Sequence, residues 1–558
     1  MGSLVLPQEI ILILCETLAA RGDFVTLFRC SLVSRRVAII ALQQIYSIQD
    51  SAPASTGSLY SKFQWTRLWR SIVLSSLGET AFPYCAYIRT LSLGNLEECI
   101  QDIGRDKKLR SIFFEGPMGQ FLVSREPYRP NEATSQTPLP FIDYQATMVK
   151  CAVSITEYIG NIADATETAV VLEHLEFTYI PHDILPPMIT RLGSLTSLRV
   201  RDGSVLGVEA ATAISQCCPK FAELTCYYCS TADEDLAAFF RVLPANSLRG
   251  FEVISRNRIG EEALTALNAH GTSLRSLRLG DLTPPAIRAL NMLPNCTALE
   301  VLDIENFYNP ASIEETDEQV ISQAVAWVSA CKSLRTLRFR NVLNALPIIR
   351  AALSSPEIRL TTLSILGFQA ANKEESSTTW AALGTQDQLE SLTLGLQDWY
   401  PNNPSIDQNP SLLNSICRLK NLTALNLMQA YVTPYEIEVF ISALPKLCEF
   451  GFSGDMVNDT LLGPLSTLTC LKFLHIHSNS TFSFKGLYHD FATKFNTPDR
   501  RGIKVEILNQ LGDYKLNTTK YSMLQKYFRE TLGGRIEISY FMDPDELHET
   551  DFSDDSDE

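Results

Sequence analysis

A short pattern of apolar positions recurs along most of the chain: apolar, two variable residues, apolar, one variable residue, apolar. Two weaker copies begin at Ile88 and Leu109. The clear copies are separated by 23 to 35 residues and begin at Leu172, Leu195, Phe221, Leu248, Leu274, Leu299, Leu334, Leu360, Leu389, Leu422, Leu447 and Leu471. Self-similarity at such a period is typical of a repeat protein in which each copy is one structural unit.

Each copy predicts a short β-strand, because its second and third apolar positions are two residues apart and share one face of the strand. The segments between copies carry apolar residues at helical spacing. Clear examples begin after Gly207, at Glu261, at Pro284 and at Glu318. Strands and helices that alternate in one direction form a parallel sheet backed by helices. One unit buries too little to offset its ordering entropy, so we expect the units to stack into an α/β solenoid.

The consensus and its period resemble those of the leucine-rich-repeat family over residues 88–480. The resemblance implies a leucine-rich-repeat solenoid with parallel strands backed by helices. Members of the family often place Asn or Cys three residues after the last apolar strand position, where the side chain caps backbone groups of the turn. Only Cys229 and Asn479 occupy that position here. We therefore expect looser turns of variable length.

The first fifty residues follow a different pattern, which predicts three short helices. Pro7 suits the first turn of a helix, Gly22 ends that helix, and Asp23 and Ser34 are predicted to cap the second and third helices. An apolar stripe at helical spacing predicts the inward face of the first helix. The predicted inward positions of the three helices are Ile10, Ile13 or Leu14, Leu18, Leu27, Cys30, Val37, Ile40 or Ala41, and Ile45.

These helices resemble an F-box. The family begins with Leu-Pro, a carboxylate and an aliphatic pair, and continues with an Asp-headed second helix and a Leu-Val-Ser-Arg turn. Many members carry an aromatic residue shortly after that Arg, where this chain has Val37. The matching residues are Leu6, Pro7, Glu9, Ile10, Asp23, Leu27, Leu32, Val33, Ser34 and Arg35.

The F-box resemblance implies a function. F-box proteins are substrate receptors of cullin-RING ubiquitin ligases of the SCF type: the F-box docks a Skp-type adaptor, and through it a cullin, while C-terminal repeats hold the target protein. The implied adaptor-binding residues are Leu6, Pro7, Ile10, Leu14, Leu32 and Val33. The alternative is that such residues only fill the core of the helices. We favour adaptor contact for Leu6 and Pro7, and core burial for Ile13 and Leu27.

Charged residues occupy variable positions of several predicted strands. Arg199 and Arg201 share one strand. Further along the chain, two basic strands flank an acidic one, with Arg275 and Arg278, then Glu300, Asp303 and Glu305, then Arg335, Arg338 and Arg340. Neighbouring strands lie about 4.8 Å apart. In one interpretation, the basic and acidic side chains of neighbouring strands form ion pairs with one another, and we call this arrangement the ladder. In the other, the arginines bind an acidic or phosphorylated peptide of the substrate.

The patterns divide the chain into segments with different predicted roles. Residues 481–542 contain two further predicted strands, and residues 543–558 hold nine carboxylates without Lys or Arg, which is typical of a solvated, disordered tail. A polar, Pro-rich stretch indicates a loop inserted into the array. The predicted segments are the F-box at 1–50, a linker and N-terminal cap at 51–87, the repeats at 88–480 with an insertion near 117–160, a C-terminal cap at 481–542, and the tail.

Composition narrows the classes of partner and compartment. The chain of 558 residues has 47 Lys plus Arg against 63 Asp plus Glu, so its net charge of −16 disfavours nucleic acid as a partner. Its 14 cysteines are too sparse for a disulfide scaffold, and no apolar run is long enough to span a membrane or resembles a signal peptide. We expect an intracellular protein with reduced thiols, in the cytoplasm, the nucleus or both.

Catalytic sequence signatures are absent: the chain contains no nucleophile elbow, phosphate-binding loop or dinucleotide-binding motif. Cys226 and Cys229 form a C-x-x-C pair, but the repeat register predicts a core role for both. His475 and His477 share a strand face without a third metal ligand. We therefore expect no metal, no cofactor and no catalysis. The leading interpretation is a substrate receptor, and the alternative is a leucine-rich-repeat interaction scaffold that acts outside ubiquitin ligation.

Overall fold

The computed structural model describes residues 6–47, 59–125, 141–166, 169–282, 284–306, 311–312, 318–343, 345–368, 372–396, 410–495, 501–509 and 516–540. The predicted acidic tail, residues 51–58 of the predicted linker and the Pro-rich stretch of the predicted insertion lie outside these residues. The chain divides into two compact units, Met1–Ser273 and Leu274–Glu558. The boundary falls inside the predicted repeat array, and each unit is described separately below.

The first unit begins with the three predicted helices, which we call the head. They are α1 (Gln8–Ala20), α2 (Phe24–Ser31) and α3 (Arg35–Ser47). Gly22 leaves α1 with a φ of +69°, a conformation that glycine adopts without strain. The Asp23 carboxylate accepts the Thr26 N–H at 3.0 Å, and the Ser34 hydroxyl accepts the Val37 N–H at 3.3 Å. Both predicted caps are therefore present.

The inward face of α1 differs from the prediction. The structure buries Ile11, Cys15 and Ala19 in the head core, where they join Leu27, while Ile13 is 56% exposed. The prediction of a core role is thus correct for Leu27 and wrong for Ile13, and Ile10 and Leu14 of the predicted inward stripe are exposed as well. The reason is that α1 is apolar around most of its circumference, so spacing alone could not decide which stripe meets the other two helices.

After the head, α4 (Leu59–Ser75) leads into a parallel sheet that carries the first repeats. Its strands pair in sequence order, and equivalent leucines such as Leu175, Leu198 and Leu224 lie side by side. The strands are β1 (Thr90–Ser92), β2 (His174–Phe177), β3 (Ser197–Asp202), β4 (Glu223–Tyr228) and β5 (Gly250–Val253). The helices are α5 (Leu93–Arg105), α6 (Lys107–Phe114), α7 (Tyr144–Thr166), α8 (Leu185–Ile189), α9 (Val208–Cys217), α10 (Asp233–Val242) and α11 (Glu261–Leu267).

The weak repeat copy at Leu109 is not a strand, and this prediction is wrong. The Asp106 carboxylate accepts the Lys108 and Leu109 N–H groups and starts α6, in which Leu109 and Phe113 are buried four residues apart. The long interval from β1 to β2 thus contains helices, and α7 occupies much of the predicted insertion near 117–160. The copy LRSIFF carries an apolar residue at position 113 in addition to its consensus positions, so the same six residues also fit the four-residue spacing of a helix.

The second unit contains a parallel sheet built from the later repeats, together with two strands beyond the predicted array. Its strands are β6 (Ser276–Gly280), β7 (Val301–Glu305), β8 (Thr336–Arg340), β9 (Thr362–Phe368), β10 (Ser391–Leu396), β11 (Ala424–Tyr431), β12 (Glu449–Asn458), β13 (Phe473–Thr481), β14 (Lys504–Asn509) and β15 (Arg535–Tyr540). The helices are α12 (Pro284–Arg288), α13 (Glu318–Ala330), α14 (Leu346–Ser354), α15 (Lys373–Leu383), α16 (Pro410–Arg418), α17 (Pro434–Ala443), α18 (Leu462–Leu465) and α19 (Thr518–Glu530).

The predicted C-terminal cap continues the same sheet. Strands β14 and β15 pair in parallel with β13 and with each other, and α19 connects them. Strand, helix and strand in this order form one more repeat, so the repeat pattern extends to Tyr540. The last copies have weaker consensus sequences because their strand positions carry Val and Ile in place of most of the leucines.

The core of each unit consists of the apolar strand positions and the helix faces that pack on them. In the second unit Leu302, Leu337, Leu363 and Leu392 form one buried row across four strands. Each such side chain contributes about 1.5–3 kcal/mol through burial, and only because its neighbours in the next repeats cover it. The strands and helices together have a leucine-rich-repeat solenoid fold.

Asparagines cap the turns one position earlier than the family pattern predicts. Asn341 follows the last apolar strand residue by two positions, and its side-chain amide donates to the backbone carbonyl of Asn306 at 2.6 Å. Asn509 donates to the Ser480 carbonyl at 2.8 Å and accepts the Ser480 N–H at 3.0 Å. The expectation of loose turns is therefore wrong at these sites, where amide side chains satisfy the turn backbone.

The different burial of Leu27 and Ile13 leads to a stability prediction. Leu27→Ala should destabilise the head by about 2–5 kcal/mol, because it leaves a cavity in a small core. Ile13→Ala should change its stability by less than about 0.5 kcal/mol, because that side chain is exposed. Hydrogen exchange of the amides in α1 to α3 measures both effects. Equal losses of protection in the two variants would contradict this packing.

A buried histidine makes the first unit sensitive to acid. The His270 ring approaches the Phe240 carbonyl at 3.2 Å and the Leu248 N–H at 3.5 Å, and burial lowers the pKa of His270. The unfolded chain therefore binds this proton at higher pH than the folded chain. The resulting stability is complete above about pH 6.5 and is lost as the pH falls.

We expect the unfolding free energy to decrease between pH 7.5 and pH 5.5, and to decrease less in His270→Asn. Chemical denaturation at several pH values measures this difference. His182→Asn serves as the control because His182 is exposed, and it should keep the pH dependence of the wild type. An unchanged pH dependence in His270→Asn would argue against a role for this ring.

Candidate protein-binding surfaces

The head has an apolar outer face in addition to its core. Leu6, Ile10 and Leu14 follow one another at four-residue spacing and are 48%, 42% and 51% exposed. At the junction between α2 and α3, Leu32 and Val33 are 71% and 74% exposed. Pro7 is also exposed, and its carbonyl accepts the Ile11 N–H at the start of α1. All six residues predicted from the F-box resemblance therefore face solvent.

Part of this outer face was not predicted from the sequence. The predicted core includes Ile13, and the exposed Phe24, Val25 and Phe28 of α2 belong to no predicted surface. Of the 21 large apolar side chains that are exposed in the described part of the chain, 11 lie between residues 6 and 39. Such a concentration in so short a segment marks a surface that binds another molecule. The available signal was the uninterrupted apolar run of residues 10–15 in α1, which is too wide for a single stripe.

Helix α3 attaches the head to the segment that follows it. Tyr46 is buried and stacks on Tyr84 with ring centroids 4.8 Å apart, and its hydroxyl lies 2.9 Å from the Ser71 hydroxyl. Burial raises the pKa of Tyr46 to about 12, so the phenol remains neutral at physiological pH. This contact uses the end of α3 and leaves Leu6, Ile10 and Leu32 exposed to solvent.

On the sheet of the second unit, the charged strand positions form ion pairs with their neighbours. Arg275 lies 3.0 Å from Glu300, Arg338 lies 3.4 Å from Asp303, and Arg340 pairs with Glu305. Arg278 is aligned with Asp303 in the strand register, and the Arg335 guanidinium donates to the Arg359 carbonyl at 2.9 Å. This arrangement corresponds to the neutralising ladder, one of the two alternatives that the sequence left open.

Next to this ladder lies a polar depression with a volume of about 350 Å³. Arg338, Arg340, Asp303 and Glu305 line one side of it. Burial raises the pKa of Glu305, and the charge of Arg340 opposes that shift. Residues of β9, β10 and β11 line the rest, most of them small and polar, namely Thr362, Ser364, Leu366, Ser391, Thr393, Asn426 and Met428. Because the arginines already have carboxylate partners, an incoming anion would have to displace these carboxylates.

The cysteines and histidines noted in the sequence occupy structural positions. Cys226 and Cys229 are both buried, and burial raises the pKa of Cys229 to about 11, which makes the thiol a poor nucleophile. His475 lies 3.9 Å from Glu506, and burial together with the neighbouring His475 lowers the pKa of His477. Among the residues that the structure describes, no group of three or more His, Cys, Asp or Glu side chains could hold a metal ion.

None of the described helices is both long enough and apolar enough to cross a bilayer.

No family model matches the chain, and no curated protein matches it. Solved structures with a similar fold include an internalin (InlF) from Listeria monocytogenes, with 14% identity over 68% of this chain and 94% of the internalin chain, at a TM-score of 0.37. Rad7, in its complex with Elc1 from yeast, is 16% identical over 60% of this chain and 89% of its own, also at 0.37.

A third solved structure is the complex of TLR13 with the single-stranded RNA ssRNA13. It is 16% identical over 69% of this chain and 52% of the matched chain, with a TM-score of 0.30. At these identities the likeness concerns the fold alone. The assignment to the leucine-rich-repeat solenoid class rests on the strand order, register and buried rows described above.

The geometry of the ladder leads to a prediction for Arg275 and Glu300. Both side chains are substantially exposed, so their ion pair should have a coupling free energy of only about 0–1 kcal/mol, and salt should reduce it further. A double-mutant cycle with Arg275→Ala and Glu300→Ala, measured by denaturation at low and high salt, tests this expectation. A coupling above about 2 kcal/mol at high salt would show that the ladder has a larger structural role.

Proposed function

We propose that the chain is a non-catalytic substrate-recognition subunit of a cullin-RING ubiquitin ligase of the SCF type. In this proposal the head is an F-box that docks a Skp-type adaptor, and the repeats bind the target protein. The observation that carries the proposal is the apolar outer face of the head, which contains the residues that match the F-box motif. The protein would act inside the cell, in the cytoplasm, the nucleus or both.

The physical support comes from the two apolar faces of α1. Ile11, Cys15 and Ala19 meet the other head helices, while Ile10 and Leu14 face water. Complete burial of one exposed aliphatic side chain of this size contributes about 1.5–3 kcal/mol of favourable free energy to binding. A partner with an apolar groove would bury them together with Leu32 and Val33, in the helix-in-groove mode of recognition.

The repeats supply a second surface suited to protein recognition. Their strands present alternate side chains to solvent while the intervening ones fill the core, as the burial pattern of β8 illustrates. Solenoids use such extended, rigid faces to hold partners. In this proposal a small helical surface therefore binds the adaptor, and a large strand surface binds the target.

Substitution of two head residues tests the adaptor contact. Leu6→Ala/Pro7→Ala should lower recovery of a Skp-type adaptor in pull-downs by about tenfold or more, because it removes exposed anchors without touching the head core. The carbonyl of residue 7 can still accept the Ile11 N–H, so α1 should still begin there. If the variant recovered as much adaptor as the wild type, Leu6 and Pro7 would not be adaptor contacts.

The matched control is Val171→Ala/Val208→Ala, which truncates two exposed aliphatic residues of the repeats. It should leave adaptor recovery unchanged. Co-purification of a cullin together with the adaptor supports the ligase role. An adaptor recovered without any cullin would instead favour the interaction scaffold that acts outside ubiquitin ligation.

A further inference from the structure

The arginines of β3 differ from those of the ladder in the second unit. Arg199 and Arg201 are exposed, and within the part of the chain that the structure describes neither forms an ion pair within 4.0 Å. Glu176 lies opposite Arg199 in the strand register, so Arg199 has one acidic neighbour. Tyr227 lies opposite Arg201, because Val200 pairs with Cys226 and Asp202 pairs with Tyr228 in the register of β3 and β4.

Three carboxylates near this end of the sheet are engaged by local hydrogen bonds. Asp202 accepts the Ser230 hydroxyl at 2.7 Å and backbone N–H groups of Ser204 and Ser230 at 3.1 Å. Asp233 accepts the N–H groups of Gly260, Glu262 and Ala263 at 2.7 to 3.2 Å and so caps the next repeat helix. Glu252, in the same row as Arg199 but two strands away, accepts the Thr225 hydroxyl at 3.4 Å.

An aromatic and an aliphatic residue continue the row that Arg201 begins. The register places Tyr227 opposite Arg201 and Ile254 opposite Tyr227, and the two are 39% and 37% exposed. The backbone holds them rigidly, since Ile254 N–H donates to the Cys226 carbonyl at 3.0 Å and Ser255 N–H to the Tyr227 carbonyl at 2.8 Å. Tyr and Arg are the residue types that most often anchor protein interfaces.

A further exposed arginine lies beyond the end of β5. Arg258 is exposed, and its backbone N–H donates to the Cys229 carbonyl at 3.2 Å, which places it beside the end of β4. We call the surface formed by Arg199, Arg201, Tyr227, Ile254 and Arg258 the arginine–tyrosine patch. It combines positive charge with apolar area, in a chain whose net charge is −16.

We propose that the arginine–tyrosine patch binds an acidic segment of a partner protein, in which carboxylates flank an aromatic or aliphatic side chain. The carboxylates would meet the guanidinium groups, and the apolar side chain would cover Tyr227 and Ile254. This inference rests on the part of the proposed function that assigns target binding to the repeats, and it is independent of the adaptor. It locates recognition on β3 to β5 rather than on the ion-paired ladder.

Fluorescence anisotropy with a labelled peptide tests the proposal. The probe is a peptide of about nine residues in which Asp and Glu surround one Phe and one Leu, and its neutral counterpart carries Asn and Gln. The full chain should bind the acidic peptide at least about tenfold more tightly than the neutral one at low salt. The preference should shrink at high salt, as screening requires.

Two pairs of variants separate the patch from general charge effects. Arg201→Glu/Arg258→Glu should weaken binding of the acidic peptide by about tenfold or more, whereas Arg418→Glu/Arg529→Glu, which reverses two exposed helix arginines, should change it by less than about twofold. Tyr227→Ala should weaken binding by about fivefold. Tyr435→Ala removes a more exposed tyrosine from α17 and should have no effect.

Three outcomes would overturn the proposal: no binding of the acidic peptide, equal loss in the patch and control variants, or tighter binding of an oligouridine RNA than of the peptide. The RNA arm is needed because Arg and Tyr together also bind single-stranded nucleic acid. The adaptor pull-down on the same preparations distinguishes the two hypotheses. A chain that retains adaptor but does not bind the peptide would refute the patch alone.

Discussion

The rest of the structure depends on one packing constraint: each repeat has apolar strand positions that only the adjacent repeats and their helices can bury. The constraint places equivalent residues of neighbouring strands side by side, as in the row from Leu302 to Leu392. Once those positions point inward, the residues between them must face solvent. The buried rows thus align the exposed side chains as well, and this alignment brings charges on successive strands together.

The same register has opposite consequences in the two units. In the second unit it places Asp303 and Glu305 beside Arg338 and Arg340, so most of the positive charge is neutralised within the sheet. In the first unit it places Arg201 opposite Tyr227, while Asp202 is engaged by its own turn. Within the described residues, Arg201 therefore lacks the ion pair that Arg338 and Arg340 each form, although both sets of arginines have similar sequence patterns.

The head follows a different rule, because three short helices enclose a core of only a few side chains. One face of α1 suffices to form that core, and Ile10, Ile13 and Leu14 are left outside. In a larger domain a second layer of structure would cover them. Here the contact through Tyr46 leaves this face uncovered, which is consistent with a surface that another polypeptide completes.

The sequence by itself determined the repeat fold, the three head helices, their caps and most of the strands, because these depend on local spacing and on turn residues. It also identified Leu6, Pro7, Ile10, Leu14, Leu32 and Val33 as surface candidates through a family resemblance. Only the tertiary structure decided which stripe of α1 is buried, that Leu109 lies in a helix, and which arginines have acidic neighbours. The reason is physical: burial and ion pairing depend on segments distant in sequence, whose register no local pattern specifies.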